Sequence, residues 1–436
     1  MIELPDNHPQ RFALTNEVHA RPPEPVYRPA TISCIALLAS GPYRDEDRDS
    51  VIALTTQFGA TPPGPGVKHY SVDLGDFRLI WERHTEFIRY TFIAPSSGEP
   101  FSNPAIERVP QAWLKALPGA LIMGAHLELQ DRPPDGPEAP IDFAAVSKAH
   151  FGGHALIGSD VANGKATAVT DFRVHKDGFS RFHVFDGGMT PWQAGQTVQR
   201  LLEIETYRIM ALLALPLAQD LVPNLSKWEH DLAAIASRMT NEEDTDEPDL
   251  LERLTGLQAS IEKSYTDSQF RFSAAAAYYA LVRRRIEELR ESRLAPVQTF
   301  HEFTERRLAP AMATCNSVER RQAALSERVD RSAQLLSTRV DLSLERQNQA
   351  VLESMNQRVE LQLRLQQTVE GLSIAAITYY VVGVVGYVAK GLIAAGASLN
   401  VDLVMGASVP IVLAIAGYGV WHTRNELAKH QNSSEK

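Results

Sequence analysis

Apolar residues are most concentrated near the end of the chain, in two runs. Residues 372–389 read LSIAAITYYVVGVVGYVA, residues 403–421 read LVMGASVPIVLAIAGYGVW, and neither run contains a charged residue. At a rise of ~1.5 Å per residue, each run is nearly as long as the hydrocarbon core of a bilayer is thick. The pattern predicts a hairpin of two transmembrane helices over residues 371–424, followed by a polar tail at 425–436.

Charged residues beside these runs predict their orientation. The outer flanks are basic, at Arg358, Arg364, Arg424 and Lys429. The connection between the runs carries only Lys390 and Asp402. Because basic flanks stay on the cytoplasmic side, both termini are expected in the bacterial cytoplasm, with the hairpin in the inner membrane. The N-terminal residues lack the charged and then apolar order of a secretory signal, which agrees with this orientation.

The segment before the hairpin, residues 251–370, has a helical pattern. From Ser317 to Glu370 it contains neither proline nor glycine. Apolar residues recur there in steps of eleven, at Val318, Val329, Val340 and Val351, and again at Ala333, Leu344 and Met355. Eleven residues make three turns of nearly straight helix, and ~54 residues extend roughly 80 Å. Two arrangements fit: an amphipathic helix folded back on its own domain, or a stalk that packs in an oligomer.

Residues 1–240 alternate between strand and helix patterns, which predicts a cytoplasmic domain with both. Three strands over Val67–Leu74, Phe77–Glu82 and Phe87–Ile93 are expected to form an antiparallel meander, and Ala166–Val174 with Phe179–Phe185 a hairpin. One helix is expected over Pro104–Leu117, and another begins at Pro191 with Thr190 as its N-cap. Acidic residues 241–250 form a linker. The predicted fold class is therefore α+β: an N-terminal α/β domain, a long helical stalk and a C-terminal transmembrane hairpin.

Composition and the lack of known motifs argue against several classes of function. The net charge of −10 and the lack of an isolated Lys/Arg block argue against a nucleic-acid surface, because phosphates demand a concentrated positive footprint. Cys34 and Cys315 are far apart and form no CxxC pair, so neither a disulfide framework nor a cysteine zinc site is expected. The sequence contains no phosphate-binding glycine loop, zincin helix or nucleophile elbow. It therefore predicts no catalytic residue and no cofactor.

Two small groups of residues are candidates for a site. In the proline-rich N-terminal segment, His8, Glu17 and His19 are weak metal-ligand candidates, because imidazole and carboxylate groups bind metal ions. Hydrogen bonds that anchor a loop are the simpler explanation. Near the end of the first apolar run, Tyr387 and Lys390 are the membrane-edge or pore candidates. Snorkelling of Lys390 to the interface is the alternative.

Two charge patterns on predicted helices indicate structural pairs. Glu205 and Arg208 are three residues apart in LLEIETYRIMALLALP and are expected to form an ion pair. The basic run Arg283–Arg285 lies beside Glu287 and Glu288. This arrangement predicts a solvated, salt-bridged helix face rather than a ligand site.

Three long segments carry a resemblance to one family. They are HPQRFALTNEVHARP at His8–Pro22, EIETYRIMALLALPLA at Glu203–Ala218 and TVEGLSIAAITYYVVGVVGYVAKGL at Thr368–Leu392. The chain resembles, over nearly its whole length, a family of uncharacterised bacterial proteins that are predicted to be membrane-anchored and are known as a domain of unknown function. The resemblance implies a membrane anchor, and it implies no reaction, substrate or catalytic residue.

In architecture the chain is also similar to the CorA-type metal-ion transporters, which combine an N-terminal α/β domain, a long helix and two C-terminal spans. In that family the first span ends in a Tyr-Gly-Met-Asn motif at the ion entrance. Here Tyr387 is followed by Val388, Ala389 and Lys390, so the motif is missing. A lysine near a pore mouth would also repel a divalent cation.

These observations favour an oligomeric membrane-anchored scaffold, sensor or ligand-binding protein, whose partners are the lipid bilayer and further copies of itself. A CorA-like channel or transporter is the first alternative. A membrane-tethered enzyme that uses the N-terminal histidines is the second. The ligand, the number of chains and the pathway stay open.

Overall fold

The computed structural model describes residues 5–18, 22–38, 46–132, 141–240, 246–396 and 400–432. The chain has an α+β structure and divides into two compact units, Met1–Gln334 and Leu335–Lys436. All the described strands lie in the first unit, and the described part of the second unit is helical.

The first unit is built around a nine-stranded sheet. The strands are β1 (Ala30–Leu38), β2 (His69–Asp73), β3 (Arg78–Arg83), β4 (Phe87–Pro95), β5 (Ala120–Asp131), β6 (Ile157–Val161), β7 (Ala166–Thr170), β8 (Ser180–Asp186) and β9 (Ser292–Arg293). Their order is β2-β3-β4-β1-β5-β8-β7-β6-β9. β5 and β8 run parallel, and the other neighbouring pairs described are antiparallel. The predicted three-strand meander is confirmed as β2, β3 and β4.

Among the described residues, helices cover both faces of this sheet and continue beyond it. They are α1 (Arg11–Val18), α2 (Glu46–Gln57), α3 (Gln111–Lys115), α4 (Phe143–His150), α5 (Pro191–Leu212), α6 (Ala214–Thr240), α7 (Glu247–Leu289), α8 (Phe300–Ala394) and α9 (Val401–Asn432). A short 3₁₀ helix spans Ala105–Arg108.

The alternating side chains of β3 and β4 divide the sheet into two faces. On one face, Trp81, Tyr90 and Phe92 are fully buried and belong to a core cluster with Val51 and Leu54 of α2. The residues between them point to the opposite face, which helix α5 covers. This second face receives charged side chains as well as apolar ones, which makes it the unusual part of the core.

Proline interrupts the helix expected over Pro104–Leu117. The 3₁₀ helix ends at Arg108, and α3 begins at Gln111 with Pro110 as its N-cap residue. Proline has no backbone N–H and disfavours helical backbone in the residue before it. The prediction of one continuous helix is therefore wrong.

Strand β7 is shorter than expected, because it ends at Thr170 rather than at Val174. Phe172 has a φ of 50°, in the left-handed region that residues other than glycine rarely adopt. This backbone turns the chain away from the sheet before it returns in β8. The pairing of β7 with β8 is antiparallel, so the predicted hairpin itself is confirmed.

Helices α5, α6 and α7 follow the sheet in sequence, and the predicted linker falls between the end of α6 and the first turn of α7. Thr190 caps α5 as expected, and Gln193 completes a capping box with it. Residues 241–245 lie outside the described residues, and α7 already begins at Glu247. Since α6 and α7 pack against each other within the first unit, the domain boundary at 241–250 stays a prediction.

Helix α8 confirms the prediction of one continuous helix from Ser317 to Glu370. In the first unit, its apolar stripe is buried at Val318, Leu325 and Val329. Gln322 lies on the same stripe and donates a 3.0 Å hydrogen bond to Ser264 of α7. The early part of α8 is thus packed along α7.

Candidate functional site

Three helical segments of the described chain are long and apolar enough to cross a membrane: Pro191–Thr240, Phe300–Leu392 and Val401–His422. Protein buries 33% of the most apolar window of the first segment, 17% of that of the second and 0% of that of the third. In the first segment, α5 packs its apolar face on the sheet, so a soluble core explains its composition. The apolar windows of the other two described segments have little or no protein packed around them.

The apolar runs of α8 and α9 expose large side chains in many directions. Among the most exposed are Tyr379 and Tyr387 at 77%, Leu372 at 75%, Tyr380 at 71% and Leu403 at 70%. Soluble proteins rarely expose contiguous apolar patches of this kind. The hairpin is therefore a surface for a lipid or protein environment rather than for water.

Within the hairpin, small residues let the two helices approach. A Cβ atom at Gly386 would lie 2.7 Å from the sulfur of Met405, whereas a Cβ atom at Gly383 would meet no atom within 4 Å. Ala389 is buried as well. Close approach at small residues is the usual way in which helices associate in lipid.

The two membrane-edge candidates lie on α8 close to the turn between the helices. Tyr387 is 77% exposed, and Lys390 is exposed four residues before α8 ends at Ala394. Neither side chain points into the contact between α8 and α9. A lysine at the end of a span can extend its ammonium group to the interface, so the structure is compatible with snorkelling.

The first unit buries an ionic network between the sheet and the helices that cover it. Arg89 of β4 is 3% exposed, and its Nε donates a 2.6 Å hydrogen bond to Glu82 of β3. Its Nη2 lies 3.7 Å from Glu203 of α5, which also accepts a hydrogen bond from Arg285 of α7. Arg285 in turn donates to Glu288 at 2.6 Å. The network links the sheet to two helices.

The environment of the network favours the charged forms of Glu82 and Arg89. Burial by itself disfavours ionisation of Glu82, but the charge of Arg89 and its hydrogen bond outweigh burial and lower the pKa of Glu82. The neighbouring carboxylates of Glu82 and Glu203 likewise outweigh burial and raise the pKa of Arg89. Burial raises the pKa of the nearby Tyr207 to about 12, so its phenol stays neutral.

A small cavity of about 40 Å³ adjoins Arg89. Thr91, Gln199 and Leu202 contribute to its lining. Within the described chain, the buried Nη1 atom of Arg89 has no hydrogen-bond partner. The cavity has room for about two water molecules, and a buried polar group without a protein partner is typically satisfied by water or a ligand.

Residues 22–29, which we call the N-terminal strap, close this cavity. The amide of Val26 donates to the carbonyl of Pro191 at 3.0 Å, and Arg28 forms an ion pair with Asp186 at 2.8 Å. Pro22, Glu24 and Val26 line the cavity. The strap passes so close to α5 that a Cβ atom at Gly195 would lie 1.7 Å from the carbonyl oxygen of Glu24.

We expect Gly195→Ala to lower the melting temperature of the protein, because the new methyl group forces the strap off α5. Overpacking of this kind costs about 1–3 kcal/mol. Gly256→Ala is the matched control, since α7 leaves open space around Gly256 and alanine favours helix over glycine by about 0.5–1 kcal/mol. Thermal unfolding of both variants is the measurement. Equal melting temperatures for the two variants would contradict the close packing of the strap.

A second polar cluster lies at one edge of the sheet, just before β6 begins and just after β7 ends. The buried carboxylate of Asp171 accepts from His154 Nδ1 at 2.8 Å and lies 3.2 Å from His175 Nε2. The ring of His154 is 40% exposed. On β8, next to His150, burial lowers the pKa of His183 to about 3, which keeps that imidazole neutral. The contact with Asp171 holds the partly exposed ring of His154 in position.

Of the three weak metal candidates, the structure describes the side chain of His8 alone, so it does not test the predicted group. His8 is exposed, and its Nδ1 accepts from the amide of Gln10 at 3.2 Å. The side chain of Glu17 and the whole of His19 lie outside the described residues. Among the residues that the structure describes, no group of three or more His, Cys, Asp or Glu side chains is arranged to hold a metal ion.

Two predicted charge pairs are confirmed, one partly buried and one exposed. Arg208 donates to both oxygens of Glu205, at 2.9 and 2.8 Å. Arg284 pairs with Glu288 at 3.1 Å, as expected for a solvated helix face. Arg285 departs from that expectation, because it also reaches the buried Glu203.

Sequence reasoning missed Arg89, Glu82 and the Asp171 cluster. A signal for Arg89 was present, because a charged residue stands at an inward position of the apolar strand FIRYTFI. For Asp171 and His154, 17 residues apart, no spacing rule indicates contact. Their contact depends on the paths of two segments, the one that enters β6 and the one that leaves β7.

Comparison with known proteins places the chain among uncharacterised sequences. A family model described as "Protein of unknown function (DUF3422)" matches residues 6–427. No curated protein matches the chain. These comparisons do not show the similarity to the CorA-type transporters. Because the match covers nearly the whole sequence, the chain belongs to this family of unknown function.

Proposed function

We propose that this family member is an oligomeric scaffold or sensor at the bacterial inner membrane. The hairpin of α8 and α9 anchors it in the bilayer, and the sheet unit binds a ligand or partner on the cytoplasmic side. The main support for this proposal is α8, a single helix of 95 residues that begins beside the sheet and ends in an apolar run. Basic residues outside both apolar runs support the orientation with cytoplasmic termini.

The pattern along α8 supports assembly from several copies. Val318 and Val329 are buried in the first unit, whereas Val351 is 58% exposed although it continues the same eleven-residue step. Leu344 and Met355 continue the second step and are 53% and 57% exposed. The apolar stripe is therefore buried in the early part of α8 and exposed to solvent further along. The exposed part needs a partner to cover it. Copies anchored in one membrane present this stripe in parallel register.

Cysteine cross-linking in membranes tests the assembly. We expect Val351→Cys and Met355→Cys to form disulfide-linked dimers on mild oxidation, because both positions lie on the stripe. Gln349→Cys and Glu353→Cys are matched controls on the opposite side of the same helix and should remain monomeric. The native Cys34 and Cys315 are both buried and add little background. Equal cross-linking at all four positions, or at none, would argue against a stalk interface.

The mass of the purified protein, from light scattering corrected for detergent, separates the leading proposal from the channel alternative. A monomer or dimer has two or four apolar spans, too few to enclose a pore, and leaves the hairpin as an anchor. A pentamer would favour the channel, and ion flux in liposomes would then decide. For the enzyme alternative, loss of an identified activity in His8→Ala would be the supporting result.

A further inference from the structure

An open groove of the first unit, of about 800 Å³, lies between four chain segments. These are the start of β6, the turn after β7, the loop before α8 and the first two turns of α8. Its floor is apolar, because Leu156, Ile157 and Val297 line it and are largely buried. Phe303 lines it with an aromatic ring. A volume of this size accommodates a small organic molecule.

Two arginines make the groove positive. Arg173 and Arg307 both line it and are exposed. In the part of the chain that the structure describes, neither guanidinium forms an ion pair or a hydrogen bond. The protein as a whole carries a net charge of −10, so two uncompensated arginines in one groove are a local exception. Paired guanidinium groups are suited to bind carboxylate or phosphate oxygens.

The acidic residue at the groove does not neutralise these arginines. The side chain of Asp171 is 0% exposed, and its oxygens face His154 and His175. It also accepts a 3.1 Å hydrogen bond from the backbone amide of Arg173, which fixes the turn. The carboxylate therefore stabilises the wall of the groove and leaves the positive charge for a ligand.

The aromatic wall is held rigidly in place. Phe172 stacks on Phe303 with ring centroids 4.8 Å apart and an angle of 19° between the planes. The guanidinium of Arg208 lies 5.0 Å from the ring centroid of Phe172. Glu205 holds this guanidinium in an ion pair. The left-handed backbone of Phe172 is a strained conformation, and such strain persists where surrounding contacts over-determine it.

We propose that this groove binds a small organic anion in which a carboxylate or phosphate group is attached to a planar apolar ring. Arg173 and Arg307 bind the anionic group, and Phe303 with the apolar floor contacts the ring. The inference goes beyond the proposed function, since it assigns a ligand class to one surface of the sheet unit and does not depend on the number of chains.

Titration calorimetry with phenyl phosphate tests the proposal on the full chain in lipid nanodiscs, where no free detergent fills the groove. We expect saturable binding of one phenyl phosphate per chain. Arg173→Gln and Arg307→Gln should each weaken binding about tenfold, because a charge-assisted hydrogen bond is lost. Arg306→Gln is the matched control: it removes an exposed arginine next to Arg307 that does not line the groove. It should bind within about twofold of the original protein.

A second variant tests the contribution of the ring. Phe303→Leu should weaken phenyl phosphate and leave the weaker binding of inorganic phosphate unchanged. Thermal unfolding of each variant confirms that it is folded. The proposal is overturned if the original protein does not bind phenyl phosphate saturably, if Arg306→Gln weakens binding as much as Arg307→Gln, or if inorganic phosphate binds as tightly as phenyl phosphate.

Discussion

A chain that ends after Gln367 is expected to leave the membrane and appear in the soluble fraction. The truncation removes the apolar end of α8 and all of α9, whose most apolar window has a mean hydropathy of 2.0 and is 0% buried in protein. Each large apolar side chain moved from water into lipid contributes about 1.5–3 kcal/mol. About ten such side chains then contribute on the order of 15–30 kcal/mol, which makes insertion effectively irreversible.

The measurement is the fraction of protein that stays with membranes after extraction with alkaline carbonate. A chain that ends after Trp421 keeps both apolar runs and serves as the matched control. We expect nearly all of the control in the membrane fraction and nearly none of the shorter chain. Another apolar segment, Pro191–Thr240, comprises α5 and α6. Retention of the shorter chain would show that this segment forms the anchor instead.

Arg89→Met is expected to cause the largest loss of stability of any single substitution in the sheet unit. It leaves the carboxylate of Glu82, which is 3% exposed, without its partner. Removal of one partner from a buried ion pair costs about 3–5 kcal/mol, chiefly because the remaining charge is desolvated. Arg331→Met is the control, since Arg331 is 61% exposed and forms an ion pair with the exposed Glu327. Such a surface pair contributes about 0–1 kcal/mol.

The pH dependence of this loss follows from the pKa of Glu82. In the native protein that pKa is lowered from its usual 4.5, so the ion pair stabilises the fold above pH 4.5 and loses its contribution as the pH falls further. In Arg89→Met the isolated Glu82 takes up a proton more readily. We therefore expect the difference in melting temperature between the two proteins to be largest near neutral pH and to shrink in acid. A difference that grows in acid would contradict the role assigned to the pair.

Local patterns predicted much of the fold. The meander β2–β4 follows from alternating residues, and α7 and α8 follow from helical periodicity without interruption. Predictions failed where a single residue decided the outcome. Pro110 splits one expected helix, and the left-handed Phe172 ends β7 early. Helices α2 and α4 were not predicted, because α2 has no strong apolar stripe and α4 is only eight residues long.

The candidate sites were harder to predict than the fold. The pair Glu205–Arg208 was found because both residues lie on one helix turn. The contact of Arg89 with Glu203 joins residues far apart in the chain, on a strand and a helix. The groove likewise combines Arg173 with Arg307, and no local spacing relates them.

The sequence by itself determined the two apolar runs, the uninterrupted helix before them and the alternation of strands and helices in the first 240 residues. Hydrophobic periodicity and the length of a span are properties of neighbouring residues, so they can be read along the chain. Only the tertiary structure decided which charges are buried and which arginines stay unpaired. Pairing depends on the order of strands in the sheet and on which helix covers each face. That order places Glu82, Arg89 and Glu203 together in the core and leaves Arg173 and Arg307 open to a ligand.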